Sequence, residues 1–183
     1  DTAYSLYGEV MGEDQDPPFL IDKISANLGA TISRPWGDRG SFWRLGAEFT
    51  DTVAARLAPA TTTRPGVTYS NFIYRDGFTY RGRVLGHTVG GDGRLISLTG
   101  LFTDARNRSY RLSLRRAELN EFAATAISPS NNPETIGLVE GEVNMPTRWG
   151  DLQVELRVED DAVNTPGRSP VKAAIEFGWR TRF

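Results

Sequence analysis

The chain has 183 residues, enough for one domain, and its 21 Lys and Arg stand against 23 Asp and Glu for a net charge of −2. That balance gives no reason to expect nucleic acid, which usually demands a basic face, and the lack of cysteine excludes disulfide scaffolds, thiol catalysis and cysteine-ligated metal. Mean hydropathy is −0.39, and no apolar run approaches the ~18 residues of a membrane-spanning helix. Spanning β-strands remain open, because their apolar and polar residues alternate and average to a soluble value. The chain begins at Asp1 without Met or signal peptide, which fits a processed chain or a fragment.

Period two dominates along the chain, the mark of strands with two unlike faces. Weak alternation opens at Tyr4, Leu6 and Val10. In Ile24–Ile32 the even positions are apolar, and Trp43, Leu45, Ala47 and Phe49 continue the pattern. Residues 78–86 and 135–143 are strand-like by position and composition. Ile96, Leu98 and Phe102, then Tyr110, Leu112 and Leu114, alternate more weakly. Leu152–Glu159 alternates cleanly. In the last segment Val171, Ala173, Ile175, Phe177, Trp179 and Phe183 share one face, and Lys172, Glu176, Arg180 and Arg182 share the other. About nine strands result, each near the ~9–11 residues that cross a bilayer at a tilt. Turn signals separate them at Asp16-Pro17-Pro18, Trp36-Gly37-Asp38, Gly90–Gly93, Ser128-Pro129, Asn131–Pro133 and Pro166-Gly167. Leu119, Phe122, Ala123, Ala126 and Ile127 are spaced three and four apart, which predicts one short loop helix near 118–127. The expected fold is all-β, one domain over 1–183.

Alternation alone fits a soluble β-sandwich as well as a barrel. Three features favour an antiparallel up-and-down transmembrane β-barrel. The polar face carries long charged side chains of both signs: Arg44, Glu48, Arg111, Arg115, Glu155, Arg157, Glu176 and Arg180. Aromatics gather at strand ends, at Trp36, Phe42, Trp43, Trp149, Trp179 and Phe183, as interfacial girdles require. The terminal strand closes on Phe183, similar to bacterial outer-membrane barrels, which typically end in an aromatic residue.

Catalytic chemistry finds little support. His87 has no serine at strand spacing, so a loop hydrogen bond explains it better than a hydrolase set. Glu13, Asp14 and Asp16 fit no calcium loop and read as a solvated turn. Asp160-Asp161 reads the same way. Glu140 and Glu142 share a strand face as a glycosidase pair might, but lumenal charges paired to arginines account for them. Gly90–Gly93 is a turn and not a dinucleotide fingerprint. No catalytic residue, metal or cofactor is expected. Trp36-Gly37-Asp38-Arg39 combines an aromatic ring with hydroxyl-binding groups, the composition of a sugar site and of an ordinary turn alike.

The stretch Tyr74–His87, YRDGFTYRGRVLGH, resembles a segment of the Wzi-type capsule-assembly proteins. Gly90–Gly93, Leu6-Tyr7-Gly8-Glu9 and Gly46–Thr52 are similar to further pieces of that family, so the likeness spreads over about residues 4–120. The resemblance implies an outer-membrane lectin, non-enzymatic, with a plugged barrel of about eighteen strands that holds capsular polysaccharide or exopolysaccharide on the bacterial surface. The matching motifs belong to the family's C-terminal half, so the chain reads as part of a larger barrel whose N-terminal half is a partner, with outer-membrane lipid around it. A porin or transporter fragment and a soluble sandwich binding module are the other readings. With Phe183 periplasmic, counting strands back places 160–170, 117–134, 87–93 and 33–41 outside, and 103–108, 144–150 and 58–77 in the periplasm. A tenth strand near 69–75 would invert everything before it. The exterior loops then offer Trp36, Asp38, Arg39, His87, Asp92, Asn131 and Asn132 as ligand-binding residues.

Overall fold

The computed structural model describes residues 1–15, 21–37, 40–55, 66–70, 73, 77–81, 83–123, 127–160 and 169–181. The alternating stretches form β1 (Ala3–Gln15), β2 (Ile21–Trp36), β3 (Ser41–Ala55), β4 (Thr79–Tyr80), β5 (Arg83–Val84), β6 (Gly93–Thr103), β7 (Ser109–Leu119), β8 (Glu134–Thr147), β9 (Gly150–Asp160) and β10 (Val171–Thr181). Eight of them make one sheet in the order β1-β2-β3-β6-β7-β8-β9-β10, and β4 and β5 make a separate two-stranded hairpin. Every neighbour is antiparallel. The sheet is an up-and-down meander, and its edges β1 and β10 do not pair with each other.

The expected helix near 118–127 is absent among the described residues. β7 runs through Leu119, and a turn at 120–123 follows. The three-and-four spacing of Leu119, Phe122 and Ala123 is overridden because Leu119 pairs in register with Gly93, while Asn120 and Ala123 adopt positive φ values of 49° and 50°. The segment 78–86 is not a spanning strand either. Its short hairpin belongs to one long connection between β3 and β6, which are themselves direct neighbours.

That second difference inverts the topology before residue 87. Phe42 faces Thr103 and Asp51 faces Arg94, so the β2–β3 turn shares an end with the β6–β7 and β8–β9 turns. The strand ends at Gln15, Ile21, Ala55, Gly93, Leu119, Glu134, Asp160 and Val171 lie at the opposite end. Outer-membrane barrels place short turns in the periplasm and long loops outside. By that rule the end that carries the described residues 66–70, 77–81 and 83–92 is the exterior one, and the Trp36 and Ser41 strand ends, expected outside, belong to the periplasmic end. Asp104 shows how the short turns close. Its carboxylate accepts from the backbone N–H of Arg106 at 2.8 Å and of Arg108 at 3.0 Å, and the Arg108 guanidinium adds a bond of 2.7 Å. The Arg108 amide first, then the guanidinium and the Arg106 amide, hold this carboxyl below its ordinary pKa despite opposing desolvation.

The two faces have the polarity of a membrane barrel. Leu6, Leu28, Leu45, Ile96, Leu112, Leu156, Ile175 and Phe177 lie on one face, and all are exposed, Leu6 at 86% and Phe177 at 73%. A sandwich would bury these residues, and it would leave the other face to water. Here the other face holds the covered positions, and they are polar: Ser25, Thr50, Thr52 and Ser113 are 6% exposed or less. The apolar band is bounded at one end by the outward ion pairs Asp51–Arg94 (3.1 Å) and Arg94–Glu121 (2.6 Å). Trp43, Phe102 and Tyr110 form a cross-strand row at the other. From Trp43 to Asp51 along β3 is ~26 Å at about 3.3 Å per residue, or ~20 Å of height at a tilt of about 40°, comparable with the ~25 Å apolar belt of outer-membrane barrels.

Two measurements check this arrangement in the whole protein. Ile175→Arg should lower folding stability in bilayers by ~2–4 kcal/mol if the residue sits near the midplane, with a milder effect from Glu176→Arg on the lumenal face. Denaturant titration in lipid vesicles reads both. Cysteine placed at Asn131 should react with an impermeant thiol reagent on intact cells, and cysteine at Asn107 or Trp36 should not. Labelling at Trp36 as well as at Asn131 would restore the sequence-based topology.

Candidate functional site

The polar face is an ion-pair ladder. Arg111 meets Glu142 at 2.9 Å, Arg115 approaches Glu140 at 3.8 Å, and Arg157 meets Glu159 at 2.6 Å. The expected pairing of Glu140 and Glu142 with arginines is what the sheet contains. Glu142 also accepts from Asn144 at 2.7 Å and Gln153 at 3.1 Å. The register sets Glu142 opposite Glu155, and Glu155 opposite Glu176. Like charges directly across strands repel, so Arg111, Asn144 and Gln153 offset a real cost at that row.

The connection between β3 and β6 folds back over the polar face of β1–β3. Hydroxyls fasten it. Ser25 and Thr68 share a buried bond of 2.6 Å. Thr52 donates to the Gly93 carbonyl and accepts from the Gly93 amide, both at 3.0 Å. His87 sits between wall and connection. Its Nδ1 accepts from the Val89 amide at 3.4 Å, so its Nε2–H donates to Thr50 at 3.2 Å, and Thr50 donates to Asn27 at 3.0 Å. Burial pushes the His87 pKa below its ordinary value, against the smaller opposing effect of Glu48.

The family-like segment owes its glycines to close approach. Tyr69 lies with φ of 64°, stacks on Phe78 at 6.2 Å and accepts from the His87 amide at 3.0 Å. A Cβ at Gly86 would enter the Tyr69 ring, and a Cβ at Gly91 would collide with the Thr68 carbonyl. Gly91 uses that room to donate to the Ile127 carbonyl at 2.8 Å, which ties the connection to the β7–β8 loop. Between wall and connection lies a cavity of about 400 Å³ that Glu9, Asn27, Thr50, Tyr69, Phe78 and His87 help to line.

The seven candidate ligand residues do not form one cluster. His87 and Asp92 sit in the β3–β6 connection, and Asn131 and Asn132 are exposed in the β7–β8 loop at the same end. Trp36, 65% exposed, stands at the opposite end. Asp38 and Arg39 lie outside the described residues. Asp92 is fully buried: its carbonyl accepts from Glu121 at 3.2 Å and its carboxylate from the Phe122 amide at 3.1 Å, so it organises the loop. Asn27, Thr50 and Tyr69 look like ordinary polar-face and loop residues in the sequence, although Thr50 falls within the family-like piece Gly46–Thr52. A further signal is the position of Asn27 and Thr50, on the polar face near the strand ends that meet the longest connection.

A sheet apolar toward lipid, ionic on its inner face and covered there by a folded connection defines a segment of an outer-membrane β-barrel. The chain belongs to the family of capsule assembly protein Wzi, whose model matches residues 1–171. The fold is similar to the solved structure of Wzi from Escherichia coli, described as an outer-membrane protein involved in group 1 capsule assembly and a carbohydrate-binding β-barrel. Identity is 21% and the TM-score 0.71 over 95% of this chain, which spans 37% of the length of that structure. No curated protein matches the sequence.

Gly86→Ala should destabilise the packed connection by ~1–3 kcal/mol, as overpacking does, and expose it to protease in the whole protein. A neutral buried histidine with lowered pKa contributes stability that is full above its ordinary value of 6.5 and is lost as pH falls below it. Thermal melting between neutral and mildly acidic pH should show that loss, and His87→Gln, which stays neutral, should flatten it.

Proposed function

We propose that this chain is part of a non-enzymatic outer-membrane lectin that attaches capsular or extracellular polysaccharide to the bacterial surface. The observation that carries the proposal is the connection hydrogen-bonded across the polar face at the exterior end. It covers the polar face of β1–β3, where the wall of an open porin would meet water, and it presents polar loops outward. Membership of the capsule-assembly family supports the same reading. The barrel is completed by further strands beyond this chain, because unpaired strand edges do not persist in the hydrocarbon region.

Glycan contact is assigned to the exterior end. Asn131 and Asn132 are exposed there and can both donate to and accept from sugar hydroxyls. His87 lines the cavity with Asn27 and Thr50, where Tyr69 and Phe78 offer ring faces. Asp92 supports the site from beneath. Trp36, with Asp38 and Arg39 beside it in sequence, is assigned no glycan contact, because Trp36 stands at the periplasmic end. Each shallow contact is weak, and retention of a long polymer comes from many copies gripping it at once.

In cells making the whole protein, Asn131→Ala with Asn132→Ala should release polysaccharide into the medium while heat-modifiable barrel insertion stays intact. Each lost hydrogen bond is worth ~0.5–1.5 kcal/mol, so binding of a purified oligosaccharide should fall by roughly tenfold for the pair. Surface polysaccharide unchanged after complete deletion would end the lectin assignment. So would open-pore conductance in planar bilayers.

A further inference from the structure

All four tryptophans of the chain, Trp36, Trp43, Trp149 and Trp179, stand at the short-turn end of the sheet. The lipid-facing row just inside that rim reads Leu45, Gly100, Leu112 across β3, β6 and β7, and the next row reads Trp43, Phe102, Tyr110. Leucines flank Gly100, which has no side chain to fill the space between them. The result is a groove of about 420 Å³ walled by Trp43, Leu45, Phe102, Tyr110 and Leu112, with Phe102 and Tyr110 stacked at 6.2 Å. Two arginines stand on the same rim of the sheet. Arg34 is the register partner of Trp43, and Arg106 lies in the β6–β7 turn beyond Phe102. Both are exposed, and neither has an ion-pair partner among the described residues.

We propose that this groove binds one phospholipid of the periplasmic leaflet, with an acyl chain against Gly100 and its phosphate between Arg34 and Arg106. The position selects the occupant. An apolar slot open to the hydrocarbon region accepts a chain and nothing polar, while arginines at the interface fork onto phosphate oxygens. The aromatic row fixes the depth at which the headgroup sits. The periplasmic end excludes lipid A, which belongs to the opposite leaflet.

A Cβ at Gly100 would touch only the end of the Leu45 side chain, at 3.4 Å, so a larger residue can enter the groove with small adjustment. The test uses the whole protein, extracted from outer membranes in mild detergent and incubated with dioleoyl phosphatidylglycerol, with retained lipid counted by native mass spectrometry. Gly100→Leu should lower retention by about fourfold, the equivalent of one buried methylene. Arg34→Gln with Arg106→Gln should lower it further. Gly141, on the same lipid-facing row with open space around it, is the control, and Gly141→Leu should leave retention unchanged. Unchanged retention in Gly100→Leu, an equal loss in Gly141→Leu, or stronger retention of lipid A overturns the proposal. Polysaccharide attachment is a separate readout and stays intact in Gly100→Leu, so failure of the lipid site and failure of the lectin reading are distinguishable.

Discussion

The rest of this structure depends on the satisfaction of backbone hydrogen bonds where water is absent. In hydrocarbon each N–H and C=O must find a partner, which leaves helices and inter-strand ladders as spanning structures. The ladder forces side chains to alternate, so one face meets lipid and the other meets the interior. Exposed leucines and isoleucines on one side and buried serines and threonines on the other are both consequences of that rule. So is the ladder of arginines and glutamates, since charges that face inward need partners where water is scarce.

A polar inner face creates a second requirement, because it must be covered by something equally polar. The β3–β6 connection meets it with hydroxyls and backbone groups in place of an apolar core. Thr52 and Gly93 exchange both of their bonds, Ser25 meets Thr68, and His87 links Thr50 to Val89. Apolar burial is confined to Val53, Ala54, Val89 and Leu119 among the described residues. Such contacts are directional, so the connection tolerates little displacement. That explains glycines at Gly86 and Gly91, where the backbone passes against Tyr69 and Thr68 with no room for a methyl group. The family-like motif is thus a packing motif first.

The sequence made the strands and their faces legible because period two is enforced at every residue of a spanning ladder. Strands β9 and β10 alternate so cleanly that the face taken by each residue follows from pattern alone. The segment 78–86 misled because local composition favours strands there, while Gly77 and Arg81, with φ of 58° and 50°, turn the chain too sharply for a long one. That error of one strand reversed every earlier loop, since an up-and-down topology carries parity along the chain. The helix near 118–127 failed for a related reason. Apolar spacing describes a preference, and pairing of Leu119 with Gly93 extends β7 into that window. Of the candidate site, the exterior asparagines could be read from turn chemistry. The wall residues Asn27 and Thr50 could not, because their role depends on which connection crosses them.

Parity also determines what each end of the sheet can do. The exterior end carries the connection, the β7–β8 loop and the ion pairs of Asp51, Arg94 and Glu121, all hydrophilic. The periplasmic end carries every tryptophan and turns of a few residues, closed by local bonds such as those to Asp104. Long polar loops can present hydrogen-bonding groups to a hydrated polymer, and they keep a fixed shape only if something rigid holds their bases. Here the Gly91 amide on the Ile127 carbonyl and the Asp92 bonds to Glu121 and Phe122 join two of these loops to each other. The hydroxyl bonds to β2 and β3 join them to the wall. A surface built this way starts ordered, so a sugar that docks on it gives up its own freedom without also paying to arrange the protein. On the proposed function, that preorganisation is what lets shallow contacts hold a polysaccharide chain.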